Sequence, residues 1–332
     1  MKIIIDRDIP FIQGLFEPYA EVVYLAGRDI DSEAVADCDA LIVRTRTRCD
    51  ENLLKDSHVR FIATATIGTD HIDTAYCFKR GIIVANAAGC NARGVLQWVA
   101  AVLHHITMRR GCGPEMLKLG VVGVGNVGSL VAHYADAWGF KVLRCDPPRA
   151  KREEEEDFRE YEELLRECDI LTFHTPLDAT TRHMLGTNEL RMLKPNAVII
   201  NASRGEVVDN RAVADSGHDY YYDVWEGEPD IPQNILEGAI IATPHIAGYS
   251  LQGKANATAM VVRALASMFG FRLGGWYPAD ITPTTPREIG WEEMCSTIRN
   301  YCNLEAETAV LKSSPDKFEA MRNGYCYREE YF

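Results

Sequence analysis

LKLGVVGVGNVGSLVAHYADAWGFKVLRCDPPR, residues 117–149, decides the fold. An apolar run, Leu119–Val122, leads into Gly123-x-Gly125-x-x-Gly128, and an amphipathic stretch, Ser129–Trp138, reads as a helix. A second apolar run, Lys141–Cys145, ends on Asp146, 18 residues beyond Gly128. Strand, glycine triplet, helix, strand and acid in that order form the dinucleotide-binding fingerprint. Each glycine has its own task. Gly123 permits a tight turn, Gly125 lets a pyrophosphate approach the backbone, and Gly128 lets the helix pack closely with its N-terminus toward the phosphates. Asp146 accepts hydrogen bonds from ribose hydroxyls and repels a 2′-phosphate, which selects NAD over NADP. Pro147 and Pro148 read as a stiff loop after the acid, and Arg144 and Arg149 flank it.

On either side of this stretch, short apolar runs alternate with longer amphipathic ones, the pattern of a parallel sheet with crossover helices. Toward the N-terminus, Lys2–Asp6, Glu21–Leu25, Ala40–Arg44, Phe61–Thr64 and Ile82–Val84 read as strands of a first unit. Gly94–Arg110 then changes to helical spacing through Val95, Trp98, Val99, Val102, Leu103 and Ile106. Beyond the fingerprint, the acidic stretch Glu153–Glu156 runs into a solvated helix, and strands follow at Ile170–His174, Ala197–Asn201, Tyr220–Asp223 and Ile240–Thr243. The expected fold class is α/β, with two Rossmann-like parallel-sheet domains. Residues 1–93 form a flavodoxin-like substrate domain completed by about 250–275, and residues 94–249 the NAD-binding domain. From Trp276 the chain turns Pro- and Thr-rich, so residues 276–332 read as a short C-terminal appendage.

Composition narrows the function. The 332 residues are 47% hydrophobic and 25% charged, as in a folded globular protein. Thirty-five basic against 48 acidic residues give −13, which disfavours binding to a nucleic-acid backbone but leaves room for a local anion pocket. No apolar stretch is long enough to span a bilayer, and the first is cut at Asp6, too short for a signal peptide. The expectation is a cytoplasmic protein without a membrane partner. Ten scattered cysteines without a Cys-x-x-Cys pair fit buried thiols in a reducing compartment, and no metal site is implied.

Three polar residues stand at strand ends: Arg204 in INASRGEVVDN, Glu228 in DVWEGEP and His245 in TPHIAGYS. Alone, each is unremarkable; within a nucleotide-binding frame they make a set. Oxidising a secondary alcohol needs a base for the hydroxyl proton, and histidine titrates in the right range. A carboxylate can orient the imidazole and stabilise its charged form, and an arginine can grip a substrate carboxylate.

Together with the glycine triplet and Asp146, the pieces FHTPL (173–177), NASRG (201–205), DVWEGEP (223–229) and TPHIAGY (243–249) resemble the D-isomer-specific 2-hydroxyacid dehydrogenases. Further likeness in TATIGTDHID (64–73), NAAGCNA (86–92) and CDPPRA (145–150) extends it over about residues 1–270 and points to a branch acting on a phosphorylated acid. The resemblance implies NAD as cofactor and a small phosphorylated 2-hydroxy acid as substrate. It makes His245 the acid/base, Glu228 its partner and Arg204 the holder of the carboxylate. It assigns Gly123, Gly125, Asn126, Val127, Gly128, Asp146, Thr175, Ala202, Ser203, Asp223 and Gly248 to the cofactor, and Arg44, Thr45, Arg46, Thr66 and Tyr249 to the substrate. It also implies a homodimer, with residues 276–332 a shortened dimerisation element.

The residues themselves add one point. Arg44, Arg46 and Arg48 alternate, so in an extended chain all three face one side and suit a phosphate dianion. The alternative is an edge strand whose charges discourage aggregation. Between Asn210 and Asp223 the crossover is about five residues shorter than this family leads one to expect, with Arg204 and Glu228 24 apart. A dehydrogenase for another 2-hydroxy acid and a non-catalytic NAD-sensing regulator are the competing functions.

Overall fold

The computed structural model describes residues 1–153 and 157–332. The chain divides into two compact units, Met1–Asn91 with Leu251–Pro283, and Ala92–Ser250 with Thr284–Phe332.

The first unit is a five-stranded parallel sheet in the order β2-β1-β3-β4-β5. Its strands are β1 (Lys2–Asp6), β2 (Glu21–Leu25), β3 (Ala40–Val43), β4 (Phe61–Thr64) and β5 (Ile83–Asn86). The central strands β3 and β4 are buried along their whole length, as unbroken apolar runs covered on both faces must be. The helix Leu251–Phe269 returns to cover one face, packing Val261, Val262 and Leu265 against Ile3, Ile5, Ile42 and Phe61.

The second unit carries six parallel strands in the order β11-β10-β9-β8-β6-β7. They are β6 (Lys118–Val122), β7 (Lys141–Cys145), β8 (Ile170–Phe173), β9 (Val198–Asn201), β10 (Asp219–Tyr222) and β11 (Ile241–Ala242). Strand order reverses between β6 and β8, the switch point where open α/β sheets bind ligands at their carboxyl ends. The helix Ala92–Arg110 buries Trp98, Val99, Val102 and Leu103 in this unit's core.

The C-terminal segment departs from the expected appendage. Ile289, Met294, Ile298, Cys302, Leu304 and Phe332 belong to the same core as Trp98 and Trp138, and Leu311 and Phe318 to the core on the other side. Helical spacing of these apolar residues over Trp291–Tyr301 and Leu304–Ser313 gives each helix an inward face, so Thr284–Phe332 is part of the second unit. Glu154, Glu155 and Glu156 of the expected acidic helix lie outside the described residues; the helix that follows runs Tyr161–Glu167 and buries Leu164 and Leu165.

Candidate active site

The glycine turn follows β6. Gly123 has φ +82°, and a Cβ there would stand 2.8 Å from the His174 carbonyl, so both conformation and space demand glycine. A Cβ on Gly128 would lie within 1.9 Å of the Gly123 carbonyl oxygen. Gly125 faces open space and caps the helix Asn126–Ala137, which begins three residues earlier than its apolar spacing suggests. The N–H groups of Asn126, Val127 and Gly128 therefore form the helix's first turn, where an anion finds unpaired donors.

Asp146 follows β7 directly and ties this turn down. Its Oδ2 accepts the Val124 N–H at 2.8 Å and its Oδ1 the Arg149 N–H at 2.9 Å. Pro147 and Pro148 open a helix, Pro147–Glu153, rather than a stiff loop, because proline suits a first helical turn behind an aspartate cap. Arg149 lies across the turn, donating from Nη1 to the Val124 carbonyl at 2.7 Å and to Ser129 Oγ at 3.1 Å. After β8, the buried Oγ1 of Thr175 has no hydrogen-bond partner among the described residues. A glycine turn open at Gly125, a helix N-terminus and an orphaned buried hydroxyl fit a dinucleotide.

Three adjacent strands deliver the polar set. After β9, the Asn201 side chain accepts from the Ser203 N–H and hydroxyl and donates to the Arg204 carbonyl at 2.9 Å, fixing the turn that presents Arg204. Ala202 and Ser203 lie within this turn. A Cβ on Gly205 would fall 2.1 Å from the backbone of Trp225, so the Arg204 turn packs directly on the DVWEGEP loop. Asn210 joins the two again: its N–H donates to Glu226 Oε2, and its Oδ1 accepts the Glu226 N–H. The short crossover is a seven-residue helix, Asn210–Ser216, closed by Gly217 at φ +79°. These contacts register Arg204 against the Glu228 loop despite the missing residues.

Asp223, at the end of β10, is 1% exposed. Its carboxylate accepts the Thr243 hydroxyl at 2.6 Å and the N–H groups of Ile246 and Ala247 at 2.8 and 2.9 Å, while its carbonyl accepts the His245 N–H at 2.8 Å. Burial raises its carboxyl, and the charge of His245 together with these donors pulls it back only in part. The clamp holds His245 at φ +58°, a conformation a non-glycine residue rarely adopts. His245 Nδ1 meets Glu228 Oε1 at 2.5 Å, and Glu228 Oε2 accepts the Trp225 N–H. Burial alone would raise Glu228; the hydrogen bond and charge of His245, with the more distant charge of Arg322, hold it below its ordinary 4.5. Glu228 thus stabilises the fold above pH 4.5, and that contribution fades as pH falls through its folded value. Acid melts of Glu228→Gln should accordingly show a shallower loss of stability below pH 4.5 than the unaltered chain.

In the first unit the arginine stripe is not extended. Thr47 N–H closes a turn on the Arg44 carbonyl at 3.2 Å, and Thr47 Oγ1 is held by the Gly27 carbonyl. Arg44 bonds Asp6 and Asp8, and Arg48 pairs with Asp50, so the three arginines do not share a face. Thr45 and Arg46 occupy the exposed tip of that turn. Thr66 Oγ1 donates to the Gly68 carbonyl and accepts from Thr64, whose oxygen in turn lies 3.1 Å from His71 Nε2. With both hydroxyl protons spent, Nε2 must be the His71 donor, leaving its buried Nδ1 an acceptor without a partner among the described residues.

In the second unit Gly248 and Tyr249 continue the His245 loop, and sequence spacing gave no sign of what holds them. Tyr249 lies against Tyr325 and Tyr327 and receives a hydrogen bond from Arg322. His174 is half-buried, and loss of water around its ring pushes it down to about 3, leaving a neutral imidazole bonded to Thr172.

The sequence profile of the D-isomer specific 2-hydroxyacid dehydrogenase, NAD binding domain, matches residues 91–247. A protein of Bacteroides fragilis named erythronate-4-phosphate dehydrogenase is 45% identical over 345 residues, covering 99% of this chain and 97% of its own. A protein of Escherichia coli with the same name is 43% identical over 349 residues, covering 100% and 92%. Among solved structures, the NAD+-bound 3-phosphoglycerate dehydrogenase of Entamoeba histolytica superposes with a TM-score of 0.67 at 25% identity, covering 86% of this chain and 99% of that one.

Proposed function

Because the chain belongs to the erythronate-4-phosphate dehydrogenases, within the D-isomer-specific 2-hydroxyacid dehydrogenases, we propose that it oxidises 4-phospho-D-erythronate with NAD to (3R)-3-hydroxy-2-oxo-4-phosphobutanoate, a step toward pyridoxal 5′-phosphate. The observation that carries the chemistry is the His245–Glu228 pair in the same unit as the glycine turn. When bound, NAD accepts the hydride. The protein's own residues do the rest.

In this reading His245 Nε2 takes the proton of the substrate hydroxyl. Glu228, ionised throughout the neutral range, fixes the ring through Nδ1 and balances the imidazolium charge. Arg204 holds the carboxylate beside the reacting carbon. Gly123, Gly125, Asn126, Val127 and Gly128 receive the pyrophosphate, and Thr175 Oγ1 gains the partner it lacks. Ala202, Ser203, Asp223 and Gly248 border the cofactor. Arg44, Thr45, Arg46 and Thr66 of the first unit, and Tyr249 of the second, are the proposed substrate contacts; Arg44 acts there only beside the charges of Asp6 and Asp8. A cytosolic homodimer completes the proposal, supported by the family's pattern; among the described residues no helix is long and apolar enough to cross a membrane.

A substrate panel tests the assignment. The highest kcat/KM should fall on 4-phosphoerythronate, ahead of 3-phosphoglycerate, glycerate and lactate; a preference for any of the others would reassign the substrate. Asp146→Ala should raise the KM for NAD about tenfold and narrow the preference over NADP, since it removes both the ribose acceptor and the repulsion of a 2′-phosphate. An unchanged NAD/NADP ratio would take Asp146 out of that role.

A further inference from the structure

The loop that carries His245 is held by the far end of the chain. Arg328, 6% exposed, donates from Nη2 to the Ala247 carbonyl at 2.5 Å, and its own N–H reaches the Tyr249 carbonyl at 3.3 Å. Ser250 Oγ bonds the buried Glu330 carboxylate at 2.6 Å, which also accepts from Thr284. The rings of Tyr325 and Tyr327 each stand 6.1 Å from that of Tyr249. Into this framework the helix Phe318–Asn323 delivers Arg322, whose Nε donates to the Tyr249 hydroxyl at 3.2 Å.

Arg322 is half-buried, and among the described residues no carboxylate pairs with it and no hydrogen bond uses its Nη groups. It is close enough to Glu228 for each charge to stabilise the other. Withdrawing a guanidinium from water is costly unless donors and charge are both answered. Tyr249, Glu228 and Glu319 favour its charged form, but the Tyr249 hydroxyl answers only the Nε donor. The planar Nη fork suits an anion with two oxygens, and the Glu228–His245 pair, near enough for its charge to be felt, marks where substrate chemistry takes place.

We propose that Arg322 is a substrate-binding residue whose Nη groups take the phosphate of the acid oxidised at His245, with Tyr249 aiming the guanidinium. The C-terminal segment then serves the site directly as well as filling the core. The inference rests on the phosphorylated 2-hydroxy acid being the substrate. Arg204 is assigned the carboxylate and Arg44 is already paired with Asp6 and Asp8, so the open fork of Arg322 is assigned the phosphate.

The test compares Arg322→Gln and Arg322→Lys with the unaltered enzyme, measuring the KM for 4-phosphoerythronate, the inhibition constant of unphosphorylated erythronate, and NADH affinity by fluorescence. Loss of charge-assisted bonds should raise the KM at least about tenfold in Arg322→Gln. Arg322→Lys, which keeps the charge but not the fork and preserves the fold, should fall between. Erythronate inhibition and NADH affinity should not move. Equal weakening of both acids, or an unchanged KM, would overturn the assignment. An unaltered enzyme that fails to turn over 4-phosphoerythronate defeats the functional reading and this inference together; turnover beside an unaffected Arg322→Gln defeats this inference alone.

Discussion

Replacing His245 by alanine is expected to lower kcat by about 10²–10⁴-fold, the range that a positioned general base contributes, while NADH affinity stays near that of the unaltered enzyme. The separation follows from the architecture. The glycine turn, Asp146 and Thr175 stand after β6, β7 and β8, whereas His245 follows β11 and bonds Glu228 through Nδ1. Removing the imidazole deletes the proton acceptor and leaves those three strand ends untouched. Stopped-flow measurement of NADH formation and fluorescence titration of NADH check the two halves separately. A variant retaining more than about a tenth of the activity would remove His245 from the acid/base role.

Asp223→Ala should have the largest effect on stability. The substitution leaves the Thr243 hydroxyl and the Ile246 and Ala247 N–H groups without their acceptor in a region almost sealed from water. Each buried orphan costs about 1–3 kcal/mol. Relaxation of the loop recovers part of this, so a net loss of about 3 kcal/mol or more is expected, or roughly 10 °C in Tm. Trp98 would feel the change as well, because its Nε1 donates to Thr243 Oγ1 at 3.1 Å and closes the same network. Activity should fall with stability, since the loop that holds His245 at positive φ loses its clamp. Asp223→Asn, with one acceptor kept, should fall between. A melt of Asp223→Ala within about 2 °C of the unaltered chain would mean that the network does not hold the loop.

What the sequence made legible was local. The glycine turn and Asp146 could be read because spacing along one strand-turn-helix-strand unit determines their geometry, and the structure places each where that spacing requires. His245 and Glu228 were legible as residue types at strand ends; their contact is tertiary, set by β10 and β11 lying side by side. The arginine stripe misled because alternation implies one face only in an extended chain. Thr47 closes a turn on the Arg44 carbonyl, and the buried Asp6 of β1 captures Arg44. Arg322, Arg328 and the Asn210–Glu226 bridge gave no local signal. The tail was read as an appendage because it is polar on average; the signal that it packs on a core lay in the helical spacing of Met294, Ile298, Leu304 and Leu311.

In the proposed reaction hydride leaves the carbon bearing the 2-hydroxyl group and passes to NAD. Its most direct test uses 4-phosphoerythronate deuterated at that carbon, with purified protein and NAD, and mass spectrometry of the reduced cofactor. One deuterium is expected on the nicotinamide ring of every NADH formed, together with the 2-oxo acid. Unlabelled NADH, or no reduction of NAD at all, would contradict it.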